Sequence, residues 1–160
     1  MKPTRRRFAR GAAALVMAAS VALPLAACGS SPGPGVAATA DGQVITESDL
    51  DDIAQDFSTV QGAQVPSRAE MVSLLVARPF IIQTLEGSGQ LLSEAGVRKL
   101  VEKQVSDVSD ATVRYLQVAA VQQQLDPQLI GKITTAMAAG DIQVNPRYGT
   151  YEPGQGLVAT

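Results

Sequence analysis

The chain has 160 residues, with 13 Lys and Arg against 15 Asp and Glu, a formal net charge of −2, one cysteine and no histidine. The lack of histidine excludes hydrolase triads built on imidazole and removes the commonest metal ligand. A single cysteine permits neither an internal disulfide nor a cysteine zinc site, and no glycine-rich phosphate loop or dinucleotide fingerprint follows a strand. The composition therefore predicts a protein that is not an enzyme and needs no cofactor.

The first 27 residues have the composition of an export signal. Residues 1–10 carry five basic residues and no acid, and an uncharged run rich in Ala, Val and Leu continues to Ala27. These are the charged and apolar regions of a signal peptide. The alternative is an anchor that is never cut, because the run approaches the shortest spanning helix, but its Gly, Ser and Pro residues disfavour a stable span. We predict a signal peptide over residues 1–27.

Residues 25–28, LAAC, resemble the lipobox of bacterial lipoproteins. In a lipobox the cysteine sulfur receives a diacylglyceryl group and the chain is cut before that cysteine. Two acyl chains suffice for stable membrane attachment, since each buried methylene contributes about 0.8 kcal/mol. The resemblance implies that Cys28 is a lipidation site and that the mature protein is anchored on the extracytoplasmic face of the cell membrane.

Two export routes remain open. Residues 4–10, TRRRFAR, are similar to the twin-arginine motif, whose route would export a folded protein. The alternative is a generic basic region in which the arginine pair has no special meaning.

The chain after residue 27 is acidic. It keeps eight Lys and Arg and fifteen Asp and Glu, so its formal charge is 8 − 15 = −7. This charge disfavours nucleic acid or an anionic membrane surface as a partner. Residues 28–35 are rich in Gly, Pro and Ser and predict a flexible tether, which leaves one domain behind it.

The domain opens with a predicted hairpin and two helices. Residues 36–45 read as two short strands around Asp41-Gly42. A helix over roughly 47–59 follows, with Thr46 at its start, and a capping box formed by Ser67 and Glu70 starts a second helix. Pro79 predicts a kink or a break in that helix.

Three more helices and a strand are predicted. Ser93 caps the third, whose inward stripe is Val97, Leu100, Val101 and Val105, and Asp110 opens the fourth. The fifth begins at Pro127, and Gly140 ends it in the left-handed conformation. Its inward stripe is Leu129, Ile130, Ile133 and Met137. Residues 141–144 read as a strand and 151–160 as an irregular tail. The fold class is therefore mainly α, with about five helices and a small antiparallel sheet formed by the N-terminal hairpin and the C-terminal strand.

Five acids lie along the first helix: Glu47, Asp49, Asp51, Asp52 and Asp56. A calcium site or a glycosidase pair is one interpretation. The sequence favours the other, in which the helix dipole and solvent stabilise the charges, because calcium loops need a Gly-containing turn with alternating ligands.

Two segments resemble SurA-like N-terminal chaperone domains. Residues 36–50, VAATADGQVITESDL, match the strand, the Asp-Gly turn and the I-T-x-x-D-L entry into helix one, and residues 144–149, VNPRYG, are similar to the end of small lipoprotein members. The two segments bracket a domain of about 36–150. Larger members carry a parvulin isomerase domain, but residues 105–126 leave room for only one helix here, so that activity is not predicted.

The resemblance implies a holdase whose apolar cleft binds unfolded or extended segments of exported polypeptides. The residues expected to line that cleft are Leu74, Phe80, Ile81, Tyr115 and Met137. Each has the alternative of serving only in the core. The alternative function is a non-enzymatic envelope adaptor that binds one folded partner.

Overall fold

A computed structural model describes residues 32–158, so Cys28 and the predicted signal peptide lie outside the described residues. No helix in this part of the chain is long and apolar enough to cross a membrane. In chain order the elements are β1 Val36–Ala40, β2 Gln43–Thr46, α1 Glu47–Thr59, α2 Arg68–Leu85, α3 Glu94–Val101, α4 Asp110–Gln122, α5 Pro127–Ala139, β3 Ile142–Val144, β4 Thr150–Glu152 and β5 Gly156–Val158. A short 3₁₀ turn lies at Pro146–Tyr148.

The predicted sheet joins the two ends of the domain. Asp41 and Gly42 both have positive φ, 46° and 78°, as the tightest hairpin turns require. β3 pairs antiparallel with the other edge of β1, giving the strand order β2-β1-β3. The Asn145 backbone amide donates to the Ala37 carbonyl at 2.8 Å, which continues the β1–β3 pairing one residue beyond β3. The hairpin and the closing strand were both predicted correctly.

Helix α2 is the centre of the core. It contacts α4, α5 and the sheet, and its buried side chains cover most of its circumference, as expected for a helix largely surrounded by other elements. They are Met71, Val72, Leu74, Leu75, Val76, Phe80, Ile81 and Leu85.

Of the kink or break predicted at Pro79, the break does not occur, and this is a correction: α2 is one helix with Pro79 inside it. The proline costs about 3 kcal/mol through a lost hydrogen bond and a clash with the preceding turn. Buried side chains such as Val76 and Phe80 lie on both sides, and each contributes about 1.5–3 kcal/mol. Their burial in the same core outweighs the local cost and keeps the helix continuous.

The starts of α1 and α2 lie where the capping residues predicted them, whereas the predicted geometry at the end of α5 is wrong. Thr46 and Ser67 cap α1 and α2 in reciprocal capping boxes with Asp49 and Glu70. The expected left-handed end of α5 is wrong, because Gly140 has an extended backbone with φ −81° and ψ 162°. Packing explains the glycine instead: a Cβ there would overlap the ring carbons of Phe80.

The stripe expected for the third helix is also partly wrong. Leu100 is 63% exposed, and the buried residue of α3 is Val97. The helix is only two turns long and packs mainly on α4, where Val97 joins Val108 and Val113 in a small separate cluster. Only one side of so short a helix covers that cluster, and Leu100 lies outside the cluster, exposed to solvent.

The segment expected to be an irregular tail instead contains a second hairpin. β4 and β5 pair antiparallel from Thr150 to Val158. The hairpin begins after Gly149, whose φ is +119° and whose missing Cβ leaves room for the Val158 carbonyl oxygen. A side chain at this position would push β5 away from the start of β4, so the glycine allows the two strands to pair.

Candidate functional site

A cleft of about 770 Å³ lies between α2, α4, α5 and the C-terminal hairpin. This volume lies in the range typical of pockets that bind small molecules. Helical spacing of three and four residues puts one face of each main helix on the cleft. From α2 these are Glu70, Ser73, Leu74, Ala77 and Ile81, and from α5 they are Ile130, Ile133, Thr134 and Met137.

Aromatic rings form part of the cleft wall. Phe57 and Tyr115 meet edge to face, with ring centroids 5.7 Å apart and planes at 86°. Burial, and then the negative charge of Glu70, raise the pKa of Tyr115. Burial also raises the pKa of Tyr151, which lines the cleft from β4. Both hydroxyls therefore stay neutral near pH 7 and can act as hydrogen-bond donors.

Uncharged polar groups share the cleft lining with the apolar side chains. Gln64, Gln122 and Gln155 bring side-chain amides to the cleft, and Ser73 and Thr134 bring hydroxyl groups. Amides and hydroxyls can donate to a carbonyl and accept from an N–H group. The arrangement can therefore satisfy the backbone of an extended chain while its side chains lie against the apolar surface.

Four of the five residues predicted to line a cleft do so: Leu74, Ile81, Tyr115 and Met137. The prediction that Phe80 lines the cleft is wrong. Phe80 is not among the residues that line this cleft, it is 3% exposed, and its ring lies against the backbone of Gly140 in the core. Adjacent positions on a helix are about 100° apart, so Ile81 reaches the cleft from α2 and Phe80 does not.

Several cleft residues were missed in the sequence. Ile130 was assigned to an inward stripe of the fifth helix, but it is 49% exposed and lines the cleft. Its spacing to Ile133 and Met137 was the available signal. Tyr151 and Gln155 were missed because they fall in the segment expected to be irregular, and only the return of the hairpin brings them to α2.

The acids at the start of α1 are held by arginines. Glu47 accepts a hydrogen bond from the Tyr148 hydroxyl and lies 3.5 Å from the Arg68 guanidinium. Asp49 pairs with Arg114 at 2.7 Å. Between residues 32 and 158 no group of three or more potential ligands is arranged to hold a metal ion. These contacts join α1 to its neighbours, which favours a structural role for the acids.

Asp56 joins the end of α1 to the start of α4. Its Oδ2 accepts the Ser109 amide at 3.0 Å and the Ser109 hydroxyl at 2.7 Å, and Ser109 is the N-cap of α4. Burial raises the pKa of Asp56, but hydrogen bonds from Thr112 and Ser109 together outweigh it and leave the pKa below its ordinary value. The positive end of α4 also favours the carboxylate form.

A second, more open depression of about 850 Å³ lies on the other side of α2, with Arg78 in its wall. The guanidinium group is already engaged: it donates to Gln43 and Gln117 and pairs with Glu94. Gln117, 6% exposed, also donates to the Leu92 carbonyl at 2.7 Å. Burial is the main cause of a lowered pKa for Arg78. This network holds the 86–93 loop against the core. Because the Arg78 guanidinium is used in these contacts, the first cleft is the better candidate site.

No protein-family model, no curated protein and no solved structure matches the chain. The candidate site therefore rests on the geometry of the cleft and on the sequence patterns.

Proposed function

We propose that the protein is a lipid-anchored extracytoplasmic holdase that binds unfolded or extended segments of exported polypeptides in the cleft. The observation that carries the proposal is an open cleft of about 770 Å³ whose aliphatic and aromatic lining is interspersed with side-chain amides and hydroxyls. A filled core with no such cleft would have favoured the adaptor. The role needs no bond-making chemistry, and it suits a chain without histidine.

The cleft supports binding with little sequence preference. Apolar side chains of a client gain about 1.5–3 kcal/mol each when fully buried, and hydrogen bonds from the amides satisfy its backbone whatever its sequence. Ordering a flexible segment costs about 2–5 kcal/mol, which offsets much of that gain. The expected result is weak, reversible binding of many segments, as a holdase requires.

The contact between the two segments that resemble SurA-like domains supports the proposed family. β3 pairs with β1, and the Tyr148 hydroxyl donates to Glu47 at the entry of α1. Between Val105 and Asp126 the chain forms α4 alone, which leaves no room for a parvulin domain. Prolyl isomerase activity is therefore not part of the proposal.

Replacing Ile130 by glutamine should weaken client protection without unfolding the protein. The residue is 49% exposed and lines the cleft, so the change removes apolar contact and leaves the core intact. The protein is made from the full 160-residue sequence and reconstituted in uncharged lipid nanodiscs. Aggregation of an unfolded client is followed by light scattering at near-equal concentrations, and I130Q should need about three- to tenfold more protein for equal protection.

Leu100→Gln is the matched control. Leu100 is a 63% exposed leucine on α3 outside the cleft, so the same kind of change should leave protection unaltered. The holdase proposal would be refuted if the wild-type protein protected none of several clients from aggregation. Capture of one folded partner at stoichiometric yield, in place of many clients at low yield, would favour the adaptor.

The anchor has its own test. Mass spectrometry of the protein purified from membranes should find an N-terminus at Cys28 that carries a diacylglyceryl group, with or without acylation of its amine. C28A should leave the chain unlipidated, because the sulfur that receives the lipid is gone. An N-terminus at Met1, or a free Cys28 thiol, would contradict the anchor without bearing on the cleft.

A further inference from the structure

The cleft carries one formal charge among its described lining residues, and it is negative. Glu70 is the only acid in the lining, and no Lys or Arg of residues 32–158 lines the cleft. The two tyrosines are neutral at pH 7, since the ordinary pKa of tyrosine lies near 10 and burial raises the pKa of both further. A cation bound here would therefore meet attraction from the lining and no like charge.

Glu70 is free of any ion pair in the part of the chain that the structure describes. Its Oε2 accepts the Ser67 amide at 2.7 Å as half of the capping box, which leaves Oε1 open. Hydrogen bonds from the Ser67 hydroxyl and amide lower the pKa of Glu70, so the carboxylate is charged at neutral pH. By contrast, Glu47, Asp49 and Asp51 each pair with an arginine.

The position of Glu70 links charge to apolar contact. The residue lies one turn before Leu74 on the cleft face of α2, and its charge acts on the Tyr115 ring from α4. The N-terminus of α2 offsets part of the Glu70 charge, but the net charge of −7 after residue 27 adds a negative field around the cleft. A segment bound against Leu74 and Tyr115 would bring a neighbouring side chain within reach of the open Oε1.

We infer that the cleft selects extended segments in which a Lys or Arg flanks a run of aliphatic or aromatic residues, and that the cation pairs with Glu70. This inference rests on the proposed function, because it names the class of client. Exposed ion pairs are weak, so a preference of about two- to fivefold over a neutral segment is expected. The preference should fade in 1 M salt, where charges are screened beyond about 3 Å.

Three fluorescent ten-residue peptides provide the test. They share one apolar core and differ at a single flanking position, which is Lys, Gln or Glu, and their affinities for the nanodisc protein are measured by anisotropy against empty nanodiscs. The order expected is Lys above Gln above Glu. E70Q should bring the three affinities together, because glutamine preserves the capping box while removing the charge.

Glu102→Gln is the control, since Glu102 is exposed, does not line the cleft, and its replacement changes the net charge equally. If all three peptides bind alike and E70Q changes nothing, charge selection is overturned and the holdase function stands. Selection by Glu70 is likewise overturned if E102Q removes the preference as completely as E70Q does. If none of the peptides binds, the proposed function itself fails.

Discussion

Replacing Phe80 by alanine is expected to lower the free energy of unfolding by about 3–5 kcal/mol, the usual cost of removing a buried phenylalanine ring. The side chain is 3% exposed and belongs to the main core cluster. In a domain of this size each kcal/mol corresponds to roughly 3–5 °C, so the melting temperature should fall by about 10–20 °C. Thermal and urea denaturation followed by circular dichroism would measure the change.

Gly140→Ala separates the role of the Phe80 ring from general sensitivity. An alanine Cβ at residue 140 would overlap the ring, so G140A alone should cost about 1–3 kcal/mol. In F80A/G140A the clash is absent, and the double variant should be about as stable as F80A. The two changes are therefore expected to be non-additive by about 1–3 kcal/mol.

Gly131→Ala is the matched control in α5. Nothing lies within 4 Å of a Cβ at residue 131, which is a glycine inside the helix. The change should stabilise the protein by about 0.5–1 kcal/mol through helix propensity. Additive F80A and G140A effects, or a destabilising G131A, would contradict the described packing of α2 on the end of α5.

Replacing Asp56 by asparagine is expected to remove about 1–3 kcal/mol of stability at pH 7, because the amide keeps an acceptor but loses the charge that Ser109 and the α4 N-terminus favour. The pKa of Asp56 is lowered in the folded protein. Its contribution is therefore complete above the unfolded value, near 3.9, and is lost as the pH falls through the folded value. The wild type should lose stability there, and D56N should lose less.

Urea unfolding of both proteins between pH 2 and 7 would measure the difference. The gap between wild type and D56N should be widest near pH 7 and close in strong acid. Asp52→Asn is the control, since Asp52 is exposed on the same helix and should change stability by less than about 0.5 kcal/mol. A gap that stays constant across the whole range would show that the Asp56 charge is not the cause.

The sequence by itself determined the local structure of the domain. Thr46, Ser67 and Asp126 mark helix starts because a side-chain oxygen can accept backbone N–H groups, a property that acts within three residues. The Asp41-Gly42 turn could also be predicted from local sequence, since the ability to adopt positive φ is a property of the residue itself. The five helices, the hairpin and the closing strand followed from such signals and from the spacing of apolar residues.

Tertiary structure decided which apolar faces are filled and which are open. Periodicity marks a face as apolar but does not say what lies opposite it. Phe80 and Ile81 are adjacent and equally buried, yet one ring packs on Gly140 and the other side chain lines the cleft. Leu100 and Ile130 were both predicted to face inward and are both exposed, one of them facing the cleft.

Long-range contacts also overruled the local signals. Pro79 remains in a continuous helix because buried side chains on both sides are held by the rest of the core. Asp56 was grouped with the acids of α1, but its partner is Ser109, fifty-three residues away. Glu70 was recognised as part of a capping box, whereas the position of its open oxygen beside the cleft depends on α4, α5 and the C-terminal hairpin assembling around α2. The local chemistry of each residue is in the sequence, but its neighbours are set by packing over the whole domain.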